Sequence, residues 1–263
     1  MKPQSKGMNW SGQRVLITGA SSGIGAAIAE AAAKRGAELI LVARSADKLE
    51  AVAEGIRRHG GTATTHLCDV SDAEQVALLA NEIQTPDVLI NNAGAGRWKP
   101  LVETSPEEAA AMMEAPYLAA LYMTRAFLPA MFQRHSGLCL FVNSAASQLA
   151  WPGAAAYTAA RWAVRGLFEA VRAETTGTGV HAAMATFAKV SSDYWKNNPG
   201  SEERVPVAQT SVPILSPQQV AEAILDGVAA GREEIVAPWQ LRLKFFANRL
   251  FPSIVRREML RVN

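Results

Sequence analysis

A tyrosine and an arginine four residues apart could carry acid–base chemistry. Tyr157 and Arg161 stand at the two ends of the run Y-T-A-A-R, and in a helix this spacing places both side chains on one face, one turn apart. A cation at that distance stabilises the phenolate form and makes the tyrosine a better proton donor near neutral pH. The pair predicts a general acid with a fixed positive charge beside it.

A glycine-rich stretch near the amino terminus could bind the phosphates of a nucleotide. T-G-A-S-S-G-I-G (18–25) lies between a β-branched run and an alanine-rich segment. Glycines permit a tight turn, close approach of the backbone to a phosphate, and close packing of the following helix. That helix would direct its free N–H groups at the anion. The predicted cofactor-binding residues here are Gly19, Ser21, Ser22, Gly23, Ile24 and Gly25.

The end of the second predicted strand governs which nicotinamide cofactor fits. An acidic residue there binds the ribose 2′-hydroxyl, whereas a basic residue accepts a 2′-phosphate. V-A-R-S (42–45) carries Arg44 and no acid. The sequence therefore predicts a preference for NADP(H) over NAD(H), the alternative being that Arg44 is an ordinary solvated arginine of a loop.

Alternating strands and helices must position these residues. Apolar, strand-like runs cover 14–18, 38–43, 62–68, 87–91, 138–143, 181–186 and 234–237, and helical patterns cover 23–35 and 46–58. Uniformly apolar strands separated by helices indicate a parallel sheet covered on both faces. Right-handed crossovers then predict an α/β, doubly wound Rossmann-type fold. We divide the chain into an extension (1–12), a single Rossmann-type domain (13–237) and a basic amphipathic tail (238–263).

Composition narrows the class of protein. The chain has 263 residues, of which 49% are hydrophobic, enough for one well-buried domain. Its 26 basic and 24 acidic residues nearly cancel, so no general field favours nucleic acid. Neither the two cysteines nor the four histidines match a metal-ligand spacing, and no metal is predicted. A cytoplasmic location is expected, because the sequence contains neither a signal peptide nor the ~20 apolar residues of a membrane span.

These motifs resemble those of the short-chain dehydrogenase/reductase family, from about Arg14 to Val236. T-G-A-S-S-G-I-G is similar to the cofactor turn of the family. C-D-V-S-D (68–72) is similar to the segment that flanks the adenine, here with Asp69 and Val70. N-N-A-G (91–94) is similar to the motif that steadies the sheet and lines the cofactor, here with Asn92, Ala93 and Gly94. The resemblance implies a nicotinamide-dependent oxidoreductase and a homodimer or homotetramer.

The resemblance also assigns catalytic positions, two of which depart from the family. Tyr157 matches the catalytic tyrosine, and Ser144, thirteen residues earlier, matches the serine that hydrogen-bonds the substrate carbonyl. Arg161 stands where the family has a lysine that binds the nicotinamide ribose and joins a water relay. Pro116 stands where it has the asparagine that holds this relay. Arginine keeps the charge but does not readily release a proton, and proline preserves a helix distortion but not an amide.

A third departure follows the sixth predicted strand. The run T-F-A-K-V-S-S-D (186–193) lacks the P-G that the family often has there. Ser192 could replace a threonine that touches the carboxamide, and Val190 belongs to the same predicted cofactor site. Lys189 either faces the cofactor phosphates or is an ordinary exposed lysine.

Two further segments bear on the substrate and on partners. Aromatic residues in three predicted loops could line a pocket for an apolar or aromatic small molecule, or pack a lid or a subunit interface: Trp98, Trp151, Tyr194 and Trp195. In the tail, an approximate helical face is formed by Leu243, Phe246, Leu250 and Ile254, among basic residues. Packing within the fold or a dimer ranks ahead of contact with an anionic membrane. Pro252 interrupts the helix in either case.

Two functions compete. The first is an NADP(H)-dependent oxidoreductase in which Ser144 holds a carbonyl, Tyr157 donates the proton and Arg161 assists electrostatically. The second keeps the cofactor fold without redox chemistry, as a biosynthetic enzyme for dehydration, isomerisation or cyclisation, or as a catalytically silent cofactor-binding or interaction subunit. The serine and the tyrosine at the family spacing favour the oxidoreductase.

Overall fold

One parallel sheet of seven strands organises the chain. The computed structural model describes residues 7–94, 96–206 and 211–260. The strand order is β3-β2-β1-β4-β5-β6-β7, and every pairing is parallel. The strands are β1 Arg14–Thr18, β2 Glu38–Ala43, β3 Thr62–Leu67, β4 Val88–Asn91, β5 Gly137–Ser144, β6 Val180–Phe187 and β7 Glu234–Ala237. The predicted Rossmann-type architecture is confirmed.

Helices cover both faces of the sheet. They are α1 Gly23–Lys34, α2 Ala46–Arg58, α3 Ala73–Glu82, α4 Pro106–Met113, α5 Ala119–Gln133, α6 Ala155–Thr175, α7 Tyr194–Asn197, α8 Pro217–Ala229, α9 Trp239–Leu250 and α10 Pro252–Met259. Side chains alternate across β1, so that Val15 and Ile17 pack with α1, α2 and α8, whereas Leu16 packs with α3, α5 and α6. The five inner strands, β1, β2, β4, β5 and β6, are almost wholly buried on both faces, which explains their apolar sequences. The edge strands β3 and β7 are only partly buried.

The chain reverses direction within the sheet beside β1. It runs outward from β1 to β3 and then returns to the other side of β1 as β4. In open α/β sheets, such a reversal leaves a crevice at the carboxyl ends of the strands, where ligands bind. The fold therefore places its natural binding crevice beside Thr18 and Asn91, the last residues of β1 and β4.

The residues just before β1 pack against the domain. Trp10 is buried, and its Nε1 donates a hydrogen bond to the Leu225 carbonyl of α8 at 3.1 Å. The Gly12 amide donates a hydrogen bond to the Gly36 carbonyl at 2.9 Å. Residues 7–12 of the predicted extension are thus continuous with the core, and residues 1–6 lie outside the described chain.

Pro116 lies in a π-helical turn between α4 and α5. The turn spans Glu114–Leu118, and the Ala119 amide bonds back to the Glu114 carbonyl, five residues earlier. Proline has no N–H for the regular ladder of hydrogen bonds, and π-turns of this kind accommodate such an interruption. The predicted helix distortion at Pro116 is confirmed.

The tail forms two helices, α9 and α10, and only one side of each packs against the domain. Pro252 is the first residue of α10 and separates it from α9, as predicted. Leu241, Val255 and Met259 are buried. The predicted apolar face made by Leu243, Phe246, Leu250 and Ile254 is exposed in the single chain, so it does not pack within the fold. Packing in a dimer, the other half of the first-ranked interpretation, stays a prediction. Within the described residues, no helix is both long enough and apolar enough to cross a membrane.

Candidate active site

A cavity of about 570 Å³ opens at the carboxyl ends of the strands. It extends from Arg44 and Asp69, past the glycine-rich turn, to Ser144 and Tyr157. The predicted site residues that line it are Gly19, Ser21, Ser22, Gly23, Ile24, Arg44, Asp69, Val70, Asn92, Ala93, Gly94, Ser144, Tyr157, Arg161, Val190 and Ser192. Of the predicted set, only Gly25 is not part of the lining.

The glycine turn has the backbone that a phosphate site requires. Gly19 and Gly23 have φ of 65° and 57°, a region that favours glycine. Ser22 precedes α1 in an extended conformation and its side chain makes no capping bond, which leaves N–H groups of the first turn for a ligand. A Cβ on Gly25 would lie 2.2 Å from the Gly19 carbonyl oxygen. Gly25 therefore allows α1 to pack against the turn and does not face the cavity.

Thr18 links the ends of β1 and β4 through hydrogen bonds. Its hydroxyl accepts hydrogen bonds from the Asn92 and Ala93 amides at 3.0 and 2.9 Å. Asn92 Nδ2 in turn donates to the Thr18 carbonyl at 3.0 Å. These bonds hold the floor of the cavity in place. Sequence reasoning assigned no role to Thr18, although it is the first residue of the glycine-rich stretch.

Two cations lie at the end of β2. Arg44 is 75% exposed, and its Nη1 lies 3.4 Å from Asp69 Oδ2. Lys48, in the first turn of α2, lines the same end of the cavity. Burial opposes ionisation of Asp69, but hydrogen bonds from Ser71 and the charge of Arg44 hold its pKa below the ordinary 3.8. Sequence reasoning missed Lys48, and the signal was its spacing of four residues from Arg44.

Arg161 brings a buried guanidinium to the end of the cavity that contains Tyr157. Its Cζ lies 5.1 Å from the centroid of the Tyr157 ring, and the residue is only 9% exposed. Nη1 lies 3.4 Å from the Val142 carbonyl oxygen, and Nε has no partner. Within the described chain, no carboxylate lies at ion-pair distance from Arg161. Since buried donors without acceptors are costly, this guanidinium is suited to a ligand that supplies oxygens.

Asn143 connects the serine to the helix that carries the tyrosine. Its Nδ2 donates to the Arg161 carbonyl at 3.1 Å, and its Oδ1 accepts the Ser144 amide at 2.9 Å. Ser144 ends β5, and Tyr157 lies in the first turn of α6. A single buried amide therefore fixes the two elements against each other. Asn143 was not identified from the sequence, since no local pattern marks it.

An aromatic wall, formed by Trp98, Trp151, Tyr194 and Trp195, lies over Tyr157 and lines the cavity. The Trp98 ring lies with its centroid 5.2 Å from both Trp151 and Tyr157, and 5.5 Å from Trp195. Trp98 Nε1 donates to the Tyr194 hydroxyl at 3.0 Å, which donates to the Gly96 carbonyl at 3.0 Å. Burial, together with repulsion from an ionised Tyr157, raises the pKa of Tyr194, and Arg161 partly opposes this. Tyr194 is thus a protonated donor beside Tyr157.

The segment after β6 lies across the glycine turn. Ser192 Cβ would be 3.8 Å from a Cβ built on Gly23. The Val190 carbonyl accepts Trp195 Nε1 at 2.8 Å. Lys189 is paired with Glu202 at 2.5 Å, and its Nζ lies 5.1 Å from the Trp195 ring centroid. Lys189 is half-buried and lines the cavity, so it is not an ordinary exposed lysine, and its ammonium is paired with Glu202. The alternative, that it faces the cofactor phosphates, stays a prediction.

The part of the chain that the structure describes contains no group of three or more His, Cys, Asp or Glu side chains arranged to hold a metal ion. Cys68 and Cys139 are both unpaired and buried. Burial, and for Cys68 also nearby Asp69 and Asp72, raises the pKa of Cys68 to about 11 and that of Cys139 to about 12. Neither thiol is ionised near neutral pH.

The sheet order and the helices on both faces define a Rossmann-type α/β fold. Residues 13–203 match the family described as short chain dehydrogenase, and the chain belongs to that family of oxidoreductases. An uncharacterised oxidoreductase of Mycobacterium tuberculosis is 35% identical over 230 residues, which cover 82% of this chain and 64% of that protein. The chain therefore matches slightly less than two thirds of the length of this relative.

Solved structures of the family share the fold. A short chain dehydrogenase from Burkholderia cenocepacia in complex with NADP has a TM-score of 0.82 at 26% identity, covering 96% of this chain and 99% of that one. A member from Burkholderia phymatum in complex with NAD has a TM-score of 0.84, covering 97% and 99%. Its identity is 23%, so this second similarity concerns the fold alone.

Proposed function

We propose that the protein is an NADP(H)-dependent oxidoreductase that interconverts a ketone and an alcohol. The observation that carries the proposal is that Ser144, Tyr157 and Arg161 line the same cavity as the glycine turn and Arg44. A carbonyl site and a nucleotide site that share one cavity are what direct hydride transfer requires. Membership of the short chain dehydrogenase family supports the same reaction class.

The residues present fit a nicotinamide dinucleotide. The N–H groups at the start of α1 would bind the pyrophosphate, and Asp69 and Val70 would flank the adenine. Arg44 and Lys48 would pair with a 2′-phosphate. The N–H donors of Arg161 that lack partners would bind the nicotinamide ribose. Arg161 lies against Gly94, where a Cβ would be 3.0 Å from Arg161 Nη2. When bound, the cofactor supplies or accepts the hydride.

The side chains at the catalytic end divide the remaining work. The Ser144 hydroxyl would donate a hydrogen bond to the carbonyl oxygen of the substrate, and Tyr157 would deliver a proton to that oxygen as the alcohol forms. Arg161, over the Tyr157 ring, would stabilise the phenolate that remains. Because arginine holds its proton and Pro116 offers no amide, Tyr157 would regain its proton from water in the cavity. Val190 and Ser192 would close the nicotinamide end.

The aromatic wall favours an apolar or aromatic ketone. Trp98 and Trp151 are buried, and together with Trp195 they would present ring surface beside the carbonyl site. Burial of apolar surface against such rings contributes roughly 25 cal/mol per Å² of ligand area. We expect aryl and long-chain ketones to be better substrates than small polar ones. A homodimer or homotetramer stays a prediction.

NADPH oxidation tested on a panel of ketones separates the outcomes. We expect turnover by the wild type that falls by at least about a hundredfold in Tyr157→Phe, because general acid catalysis contributes about that much. Arg161→Lys tests whether the guanidinium is required. Because lysine keeps the positive charge, a lower rate in the lysine variant would show that the guanidinium itself is needed, and not its charge alone. Undiminished turnover by Tyr157→Phe would overturn the proposal.

A non-redox function on the same fold is the second candidate. It is favoured by the absence of a transferable proton at Arg161 and of an amide at Pro116, which leaves acid–base chemistry at Tyr157 as the simplest use of the site. Product formation without any change in NADPH absorbance would identify this candidate. Turnover by Arg161→Lys but not by the wild type would also favour it.

A further inference from the structure

The outer side of α9 and the turn into α10 carry a continuous apolar surface. Four residues of α9 share one side of the helix, within an arc of about 60° at 3.6 residues per turn. The surface, named the C-terminal apolar face, consists of Trp239 (63% exposed), Leu243 (55%), Phe246 (62%), Leu250 (53%), Phe251 (57%) and Ile254 (62%). Large apolar side chains gathered in this way mark an interaction site.

Exposed arginines border this face, with almost no acid among them. They are Arg242 and Arg249 on α9 and Arg256 and Arg257 on α10. Residues 239–260 contain a single carboxylate side chain, that of Glu258. Within the described residues, none of the four arginines takes part in an ion pair. The partner of this face must therefore supply both apolar surface and negative charge.

We propose that the C-terminal apolar face docks on an anionic membrane surface, with α9 lying in the plane of the lipid headgroups. Interfacial helices combine aromatic and leucine side chains on one face with arginines at its borders. Each arginine near an anionic bilayer adds to the attraction. The helix is too short and too charged to cross the bilayer, so it would lie on the surface.

A second copy of the chain fits the same face less well. A symmetric dimer pairs a surface with itself. Arg242 and Arg249 of one copy would then lie near the arginines of the other, with only Glu258 on each side to offset them. Like charges placed together across an interface oppose association. An anionic lipid surface has no such conflict.

The docked side of the protein is also the side of the aromatic wall. Val255 and Met259, on the inner side of α10, pack in one cluster with Trp98, Trp151 and Tyr157. A bilayer on the outer side of these helices would thus lie near the substrate end of the cavity. The docking proposal rests on the exposed face alone and does not depend on the proposed reaction.

Sedimentation with vesicles tests the docking. We expect the full chain to bind vesicles of equimolar phosphatidylcholine and phosphatidylglycerol, and to bind phosphatidylcholine alone much more weakly. Leu243→Ser/Phe246→Ser should weaken binding at least about tenfold. Arg242→Gln/Arg249→Gln should weaken vesicle binding about fivefold for each arginine removed. Added salt should also weaken binding of the wild type. Circular dichroism and thermal melts confirm that each variant is folded.

Val102→Ser is the matched control, because Val102 is 95% exposed but lies outside the face. It should bind as the wild type does. Wild-type protein that stays in the supernatant with both kinds of vesicle would overturn the proposal. The proposal would also be overturned if the protein bound no vesicles but formed a concentration-dependent dimer that Leu243→Ser/Phe246→Ser abolished. The face would then pack against a second copy of the chain.

Discussion

At the scale of single residues, the central feature of the site is the close packing of other side chains around Tyr157. The centroid of the phenol ring lies 5.2 Å from that of the Trp98 ring and 5.1 Å from Arg161 Cζ. Gly96 also touches it, since a Cβ there would be 2.8 Å from Tyr157 Cδ2 and 2.1 Å from the Tyr194 hydroxyl. Trp98, Arg161 and Gly96 therefore all lie close to the Tyr157 ring.

Tyr194→Phe tests the hydrogen bonds that support this arrangement. Removing the hydroxyl leaves the buried Trp98 Nε1 and the Gly96 carbonyl without their partner. We expect the free energy of unfolding to fall by about 1–3 kcal/mol, measured by chemical denaturation. We also expect kcat to fall, because the wall loses its link to the loop beside Tyr157.

Tyr122→Phe is the matched control for that change, since the Tyr122 hydroxyl makes no hydrogen bond within the described chain. It should leave stability and kcat nearly unchanged. Equal effects of the two substitutions on stability and on kcat would show that Tyr194 does not have this supporting role.

At the scale of elements, the cap of α3 links stability to pH. Asp72 Oδ1 accepts the Glu74 and Gln75 amides at 2.9 and 3.2 Å. Hydrogen bonds from the Gln75 backbone, its side chain and the Glu74 backbone lower the pKa of Asp72 below its ordinary 3.8. The folded state thus binds this proton less readily than the unfolded chain. The stabilisation is fully present above pH 3.8 and is lost as pH falls through the lowered value.

Asp72→Ala and Asp72→Asn separate the cap from the charge. At neutral pH, alanine should lower Tm, whereas asparagine, an equally good N-cap, should change it little. Below pH 3.8 the wild type should lose stability relative to Asp72→Asn, whose cap does not titrate. Thermal melts across this range provide the test, and parallel pH profiles of the wild type and Asp72→Asn would refute the assignment.

The elements that could be predicted from the sequence are those with a local signal. Buried parallel strands appear as apolar runs, and the predicted strand segments coincide with the seven strands of the sheet. The edge strand β3 has a threonine-rich sequence and is only partly buried. Pro116 marked a distorted helix, and Pro252 a break. Contacts between distant parts of the chain left no such signal. The Asn143 bond to the Arg161 carbonyl joins residues 18 apart, and the Tyr194 bond to Gly96 joins residues 98 apart. The tail was predicted to be amphipathic, but which of its sides is exposed depends on how α9 and α10 pack.

At the scale of the whole molecule, the sheet brings the nucleotide and carbonyl ends into one cavity. Arg44 follows β2 and Ser144 ends β5, on opposite sides of the central pair β1 and β4. The cavity must therefore be elongated along the edge of the sheet, as a dinucleotide is. The proposed preference for NADP(H) depends on the charges of Arg44 and Lys48 at one end of the cavity.

Arg44→Ala/Lys48→Ala should change that preference. If the two cations pair with a 2′-phosphate, their loss should weaken NADPH binding by at least about tenfold, because a charged hydrogen bond contributes about 1.5–3 kcal/mol. NADH binding, measured by the same fluorescence titration, should change little. Lys196→Ala is the control, since Lys196 is paired with Asp193 and does not line the cavity. Equal weakening of both cofactors would argue against a 2′-phosphate site.

Following the hydride itself decides whether the protein carries out the proposed reaction. NADPH carrying deuterium at both C4 positions would be incubated with the best ketone of the panel, and the alcohol analysed by mass spectrometry. We expect one deuterium on the carbinol carbon with the wild type, and product reduced by at least about a hundredfold with Tyr157→Phe. Product formed without deuterium, or formed equally well by Tyr157→Phe, would rule out hydride transfer with Tyr157 as the acid.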